Sequence, residues 1–360
     1  MLKNSPRNLL HIFLFLFLSN GISAQASQSR FFRQVASDET QENRQHENEA
    51  WNNYVKSFQL SDYQNGCEPR KFLPTPGIKT VSKILLVHGF TACTQQYYEW
   101  AELLNQRGVA VYLFVMPGHG KKFLSDGKDN FSDFPSHNNF KDYSQLAELI
   151  NKVAISDDLP SSIGGLSVGG AVALHAAAIA STPYEKVILF SPFFKMPTYL
   201  QRHLFGPLVG NIPGLRNKVI GWGAGCLYER SKGRAGICTF SVSDVYTTQL
   251  YGQYVISLTE KLSPTTMVQI VGINKDPGSD DTSTRKVARL LNYKNNPRVS
   301  VCFYPRGVNH SLLSRFDTPD ENKFWLPALL TNATNFIDRG EKIPSQPSSI
   351  DDDFEACPTP

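Results

Sequence analysis

Five residues, Gly165-Leu166-Ser167-Val168-Gly169, restrict what this chain can become more than any other stretch. Gly-x-Ser-x-Gly is the spacing of a sharp strand-to-helix turn that lifts a serine Oγ above a sheet edge. The residues two before and two after the serine come close together in so tight a turn, and only a missing Cβ avoids the clash. The flanks agree with that reading. Ser161-Ser162-Ile163-Gly164 in front reads as a short strand, and Gly170 to Ala178 behind it is a run of strong helix formers.

A turn of this kind needs a sheet around it, and the neighbouring segments supply one. Ser82 to Val87 is a continuous apolar run of strand length, as expected for a strand covered on both faces. His88-Gly89-Phe90-Thr91 follows at once. Gln95 to Arg107 then places Tyr97, Ala101 and Leu104 on one helical face, and Gly108 stops it. Val109 to Val115 is a second buried strand, ending in Pro117-Gly118-His119-Gly120, so strand, helix and strand form a unit that pairs in parallel. Lys121 to Asn139 reads as a long polar loop, and Phe140 to Ala154 as a helix with Tyr143, Leu146, Ala147 and Ile150 buried. After the elbow come a strand at Lys186 to Phe190, a strand at Met267 to Gly272, a helix around Arg285 to Leu291, a last strand at Val299 to Tyr304 and a closing helix at Phe324 to Ile337. The expected fold class is α/β, with a mostly parallel central sheet flanked by helices.

With 360 residues, 41% of them hydrophobic, the chain can bury one large domain with some decoration. The pattern divides it into a leader at 1–26, a lead-in at 27–79, a first core part at 80–191, an insertion at 192–262 that reads as a cap over the carboxyl ends of the strands, a second core part at 263–341 and a tail at 342–360. The leader has Lys3 and Arg7, an apolar run from Leu9 to Leu18 and a small-residue site at Ala24-Gln25-Ala26, the form of a secretory signal. Export, to periplasm or exterior, lets disulfides persist, and the six cysteines fit three bridges, with Cys226 to Cys238 favoured because they flank a Gly-rich segment. In the lead-in, Trp51 and Tyr54 pin a polar, acidic stretch to the domain, and the approach to Pro76 is irregular. Cys357 offers a staple for the Pro- and Asp-rich tail. The net charge of +4 comes without a basic run that would track phosphates, so nucleic acid is not an implied partner, and no Cys or His spacing suggests zinc. Asn130-Phe131-Ser132 and Asn332-Ala333-Thr334 match the glycosylation pattern, which matters only in a eukaryotic host.

This order of parts resembles the α/β-hydrolase family over roughly residues 80 to 340: strand, His-Gly, helix, strand with Gly-His-Gly, helix, Gly-x-Ser-x-Gly, strand, insertion, strand with acid, strand with histidine. Within it, His88-Gly89-Phe90, Tyr97, Pro117 to Gly120 and the elbow look most like the monoacylglycerol lipase and lysophospholipase branch. The resemblance implies the chain order Ser, acid, His. Ser167 needs a base within hydrogen-bond reach, and His310, on the loop after the strand ending at Tyr304, is the candidate. The orienting acid belongs just past the penultimate strand. Asp276 stands one residue further on than the Gly-x-x-Asp spacing common in relatives, which leaves Asp280 and Asp281 as rivals. One oxyanion donor is the backbone N–H of Val168; by resemblance the other is that of Phe90. His88 braces its loop, His119 belongs to a structural turn, His11 lies in the leader, His175 lies on the elbow helix, and His46, His137 and His203 have no visible partner.

The implied activity is a secreted serine hydrolase that cleaves carboxylic esters through an acyl-enzyme, with no metal or organic cofactor. A thioesterase or acyltransferase would use the same parts, and a catalytically silent fold used for binding is the reading from another class. The insertion carries Phe193, Phe194, Met196, Tyr199, Leu200, Phe205, Leu208, Val209, Ile212, Leu215 and Trp222, which either line a pocket for a lipid-like acyl chain or form a small core of their own. Lys195, Arg202, Arg216, Lys218, Arg230, Lys232 and Arg234 lie in the same region with Glu229 as its one acid up to Gly236, and point to peripheral contact with an anionic membrane surface.

Overall fold

The computed structural model describes residues 48–199, 201–205, 211–314, 323–347 and 354–358. The leader at 1–26, the lead-in up to residue 47, and Leu200, Leu208 and Val209 of the insertion lie outside the described residues.

Apolar strands that follow one another through helices pair in parallel, and here they do so around the serine strand. The strands are β1 (Arg70–Phe72), β2 (Ser82–Val87), β3 (Val109–Phe114), β4 (Ser161–Leu166), β5 (Lys186–Phe190), β6 (Val219–Gly221), β7 (Thr239–Ser241), β8 (Met267–Ile273), β9 (Val299–Tyr304) and β10 (Glu355–Ala356). Eight of them form one sheet in the order β1-β3-β2-β4-β5-β8-β9-β10, with only β1 antiparallel to its neighbour. The elbow strand β4 sits at the centre, between β2 and β5.

The period of two along each strand sorts side chains into two cores. Leu85, Val87, Ala110, Tyr112 and Phe114 face one way, against helices α1 (Glu49–Lys56), α3 (Lys141–Ala154) and α4 (Val168–Ile179). Ile84, Leu86, Val111 and Leu113 face the other, with α2 (Tyr98–Asn105) and the closing helix, Leu326–Arg339. Both faces are covered, which is why the strands read as unbroken apolar runs rather than alternating ones. Trp51 and Tyr54 of α1 are buried, and Trp51 stands edge-on to Tyr112 and Phe114 at 5.1 and 5.2 Å.

Three features depart from the sequence reading. The approach to Pro76 is not wholly irregular, because β1 pairs with β3 there. Three residues carry no period to recognise. Nor is Val299–Tyr304 the last strand: β10 pairs with it in parallel, tied down by the Cys302–Cys357 disulfide and by Phe354, which stacks on Tyr293 at 4.7 Å. In the insertion, α5 (Ala224–Ser231) and the β6–β7 hairpin are followed by a 17-residue helix, α6 (Val242–Leu258), which belongs to the main core. Ser241 and Asp244 start α6 with a reciprocal capping box. Its buried residues include Thr247, Thr248, Gln249, Tyr251 and Val255, polar and apolar around much of the circumference, so no helical period shows in the sequence. His175 on α4 meets the Tyr251 hydroxyl through Nδ1 at 3.0 Å, and burial pushes its pKa down to about 4. The six cysteines form Cys67–Cys93, the expected Cys226–Cys238, and Cys302–Cys357.

Candidate active site

Ser167 has φ +57° and ψ −123°, a conformation that non-glycine residues rarely hold. The surroundings over-determine it. Its N–H donates to the Phe190 carbonyl and its own carbonyl accepts from Phe193 N–H, each at 2.9 Å. A Cβ on Gly165 would lie 2.2 Å from the Gly169 carbonyl oxygen, and one on Gly169 only 2.0 Å from that of Val87. Both glycines are therefore required by the packing of β4, α4 and β2, as the motif spacing implies.

His310 arrives on the loop after β9, and Asp276 on the loop after β8. His310 Nδ1 lies 2.8 Å from both Asp276 carboxylate oxygens. That carboxylate is buried and held from behind: Oδ1 accepts the Gly278 N–H at 2.7 Å and Oδ2 the Ser279 hydroxyl at 3.1 Å. Gly278 packs flat on the imidazole, where a Cβ would fall 2.4 Å from its Cγ. The rivals are engaged elsewhere. Asp280 pairs with Arg202 at 2.5 Å and accepts from Thr282; Asp281 accepts the Lys275 N–H at 3.0 Å and faces Arg285. The extra residue between Gly272 and Asp276 is absorbed by Lys275, which takes φ +54° and turns the chain.

Ser167, His310, Phe90 and Val168 all line one cavity of about 270 Å³. Val168 opens α4, where the first N–H groups have no acceptor within the helix. Phe90 lies on the loop after β2, which is fixed from within: Gln96 Oε1 accepts the Gly89 N–H at 2.9 Å. His88 braces the same loop. Its Nδ1–H donates to the Gly89 carbonyl at 2.8 Å while Nε2 accepts the Met116 N–H at 3.1 Å, and burial takes its pKa down to about 4. His119 meets the Pro117 carbonyl through Nδ1 at 2.9 Å and stacks on Phe134 at 3.9 Å; burial pushes its pKa well down. Both histidines are neutral structural groups at pH 7. Of the remaining described histidines, His137 meets Ser243 Oγ, and the His203 ring lies tilted against Tyr199 at 4.5 Å.

Among the described residues, the insertion roofs the cavity with only part of the apolar set that its sequence suggests. Phe193 and Trp222 line it, whereas Phe194 and Met196 belong to the main core, and Tyr199, Ile212 and Leu215 are exposed. The Phe205 side chain lies outside the described residues. Sequence reasoning missed the residue that clamps this roof. Asp129, in the long polar loop, takes Arg230 at 2.5 Å on one oxygen and Cys238 N–H, Thr239 N–H and the Thr239 hydroxyl at 2.8–2.9 Å on the other. Nothing near it in sequence marks it out, since all its partners lie about a hundred positions on. The same contacts thin the basic face: Arg202, Arg230 and Arg234 turn to Asp280, Asp129 and Glu229. Lys218 and Lys232 stay exposed beside Val219, Leu227 and Tyr228.

Comparison with known proteins decides the family. A family model described as Hydrolase_4, serine aminopeptidase S33, matches residues 79–298. The chain belongs to this family of α/β hydrolases. No curated protein sequence matches it. Solved structures similar to this hydrolase include the monoacylglycerol lipase of Paleococcus ferrophilus (16% identity, 75% of this chain and 97% of that one, TM-score 0.55). A soluble variant of the monoglyceride lipase of Saccharomyces cerevisiae, in complex with a substrate analogue, is 16% identical over 76% of this chain and 92% of its own, with a TM-score of 0.57. A carboxyl esterase of Bacillus coagulans in complex with glycerol is 17% identical over 76% and 94%, at 0.56. At these identities the likeness is one of fold. Among the described residues no helix is long and apolar enough to cross a membrane.

Proposed function

We propose that this hydrolase is an exported serine esterase that cleaves carboxylic esters of lipid-like acyl substrates, of monoacylglycerol or lysophospholipid type, through an acyl-enzyme. The observation that carries the reading is the 2.8 Å approach of both Asp276 oxygens to His310 Nδ1, with the imidazole and Ser167 on the wall of one cavity. Asp276 holds the ring in the Nδ1–H tautomer, which leaves Nε2 free to take a proton. Ser167 Oγ attacks the ester carbonyl as His310 accepts its proton, and the oxyanion is held by the N–H groups of Phe90 and Val168. His310 then protonates the leaving alcohol. Water, activated by the same imidazole, clears the acyl-enzyme and restores Ser167.

Phe90, Leu166, Phe193, Trp222 and Val245 give the cavity an apolar wall suited to an acyl chain. The family description names an aminopeptidase, and such an enzyme must hold a substrate ammonium. Among the described residues, Glu229 is the one carboxylate on this wall, and its Oε2 already faces Arg234 Nε at 3.4 Å, which favours an ester over an N-terminal peptide. Three disulfides suit an oxidising compartment and support export.

A fluorophosphonate probe will label the purified mature chain, and labelling will be lost in Ser167→Ala and His310→Ala; a well-folded wild type left unlabelled would favour the silent binding fold. An ester, thioester and amide panel, with and without an acceptor alcohol, separates esterase from thioesterase and acyltransferase. The outer cap, with Lys218 and Lys232 among exposed apolar residues, meets anionic lipid surfaces in this reading. Vesicles rich in anionic lipid will bind the chain and release it in salt; equal, salt-indifferent binding to neutral vesicles would remove the membrane contact.

A further inference from the structure

Thr91 follows Phe90 on the oxyanion loop at φ +63°, a conformation costly for a β-branched residue. It is buried, and three groups from the cap hold it in place. Trp222 Nε1–H donates to Thr91 Oγ1 at 2.7 Å, Ile237 N–H donates to its carbonyl at 2.9 Å, and Arg234 Nη2 reaches the same carbonyl at 3.5 Å. Trp222 also continues into a ring chain. It lies 4.9 Å from Phe240, which stands edge-on to Phe90 at 5.0 Å. One cap side chain thus grips residue 91 by a hydrogen bond and reaches residue 90 through an aromatic neighbour. Trp222 is itself 50% exposed, so it is no core anchor, and its indole N–H is its specific tie to the loop. From the core side, Gln96 secures Gly89. The Phe90 N–H belongs to the Gly89–Phe90 peptide, whose carbonyl accepts from His88 Nδ1–H at 2.8 Å and from Ala92 N–H at 3.2 Å. The cap acts one link further on, because the Thr91 carbonyl that it grips shares a peptide with that Ala92 N–H. Strained backbone of this kind persists only while its surroundings enforce it.

We propose that Trp222 is a positioning residue that couples the cap to the oxyanion loop and keeps the Phe90 N–H on its aim. The inference rests on the serine-hydrolase reading above. Without the indole N–H, Thr91 loses the side-chain hold on its strained conformation and relaxes, and the Phe90 N–H turns from its aim. The roof then contributes to the rate and not only to substrate retention.

The test is steady-state hydrolysis of p-nitrophenyl acetate, too short to need the apolar wall. Trp222→Phe keeps the ring and removes the donor: kcat falls about 10- to 100-fold while KM stays within about twofold, the ceiling being the roughly 10²–10³-fold cost of deleting an oxyanion donor outright. Thr91→Val gives the same loss, the double variant is no slower than either single one, and Thr91→Ser recovers most of the loss seen with Val. A change in KM alone, or losses that multiply in the double variant, overturns the proposal and leaves Trp222 a wall residue. If the wild type hydrolyses the ester and takes the fluorophosphonate but Trp222→Phe matches it in kcat, the coupling alone falls. A wild type that does neither overturns the hydrolase reading and the coupling with it.

Discussion

Asp276→Asn will lower kcat on a short ester by about 10⁴-fold, the scale seen when a triad carboxylate is replaced by its amide. The reason lies in how completely this carboxylate is used. Its two oxygens accept from Gly278 N–H, the Ser279 hydroxyl and His310 Nδ1. An amide has one acceptor oxygen and one donor nitrogen, so in either orientation an N–H meets another donor. If it meets Nδ1, the ring adopts the other tautomer, with its proton on Nε2 and no lone pair there to receive one. Asp280→Asn and Asp281→Asn should stay within a few-fold of wild type, because those carboxylates serve Arg202, Thr282, Lys275 and Arg285. A large loss in either of them, with Asp276→Asn active, would move the orienting acid elsewhere.

The second large effect is on stability. Lys83, fully buried at the start of β2, donates through Nζ to the Val153 carbonyl at 3.2 Å and forms an ion pair with Asp157. Asp157 also accepts Asn48 Nδ2 at 3.1 Å, so the pair joins β2 to the end of α3 and the cap of α1. Burial pushes the Lys83 pKa down, and Asp157 pulls part of that shift back. Lys83→Met leaves a desolvated carboxylate without its cation, and removing one partner of a buried pair costs about 3–5 kcal/mol. A melting temperature lower by on the order of 10 °C at fixed scan rate is expected. Adding Asp157→Leu should return much of it, since the apolar pair no longer buries a charge. A single variant that melts with the wild type would mean that water reaches this site and the pair contributes little.

Much of this hydrolase was legible in its sequence because the signals were local. Ser82–Val87 and Val299–Tyr304 match the expected strands to the residue, since doubly covered strands are unbroken apolar runs bounded by turn residues. The elbow was legible because two glycines and a serine at fixed spacing answer to a backbone clash within five residues. α6 was not, because a helix buried around most of its girth has no polar face to set a period. β1 and β10 were too short to carry one.

The sequence by itself determined the central parallel sheet, the place of Ser167 at its rim and the loop that brings His310. Tertiary structure alone decided which of three aspartates faces that histidine, that Asp129 clamps the cap hairpin, that Asp157 meets Lys83, and that Phe194, Met196, Tyr199, Ile212 and Leu215 of the insertion avoid the cavity. The division follows from the range of the forces. Backbone sterics and the periods of strand and helix act over a few residues and leave their mark in order along the chain. A buried carboxylate is assigned by whichever donor the fold brings within 3 Å, and that donor can lie a hundred positions away.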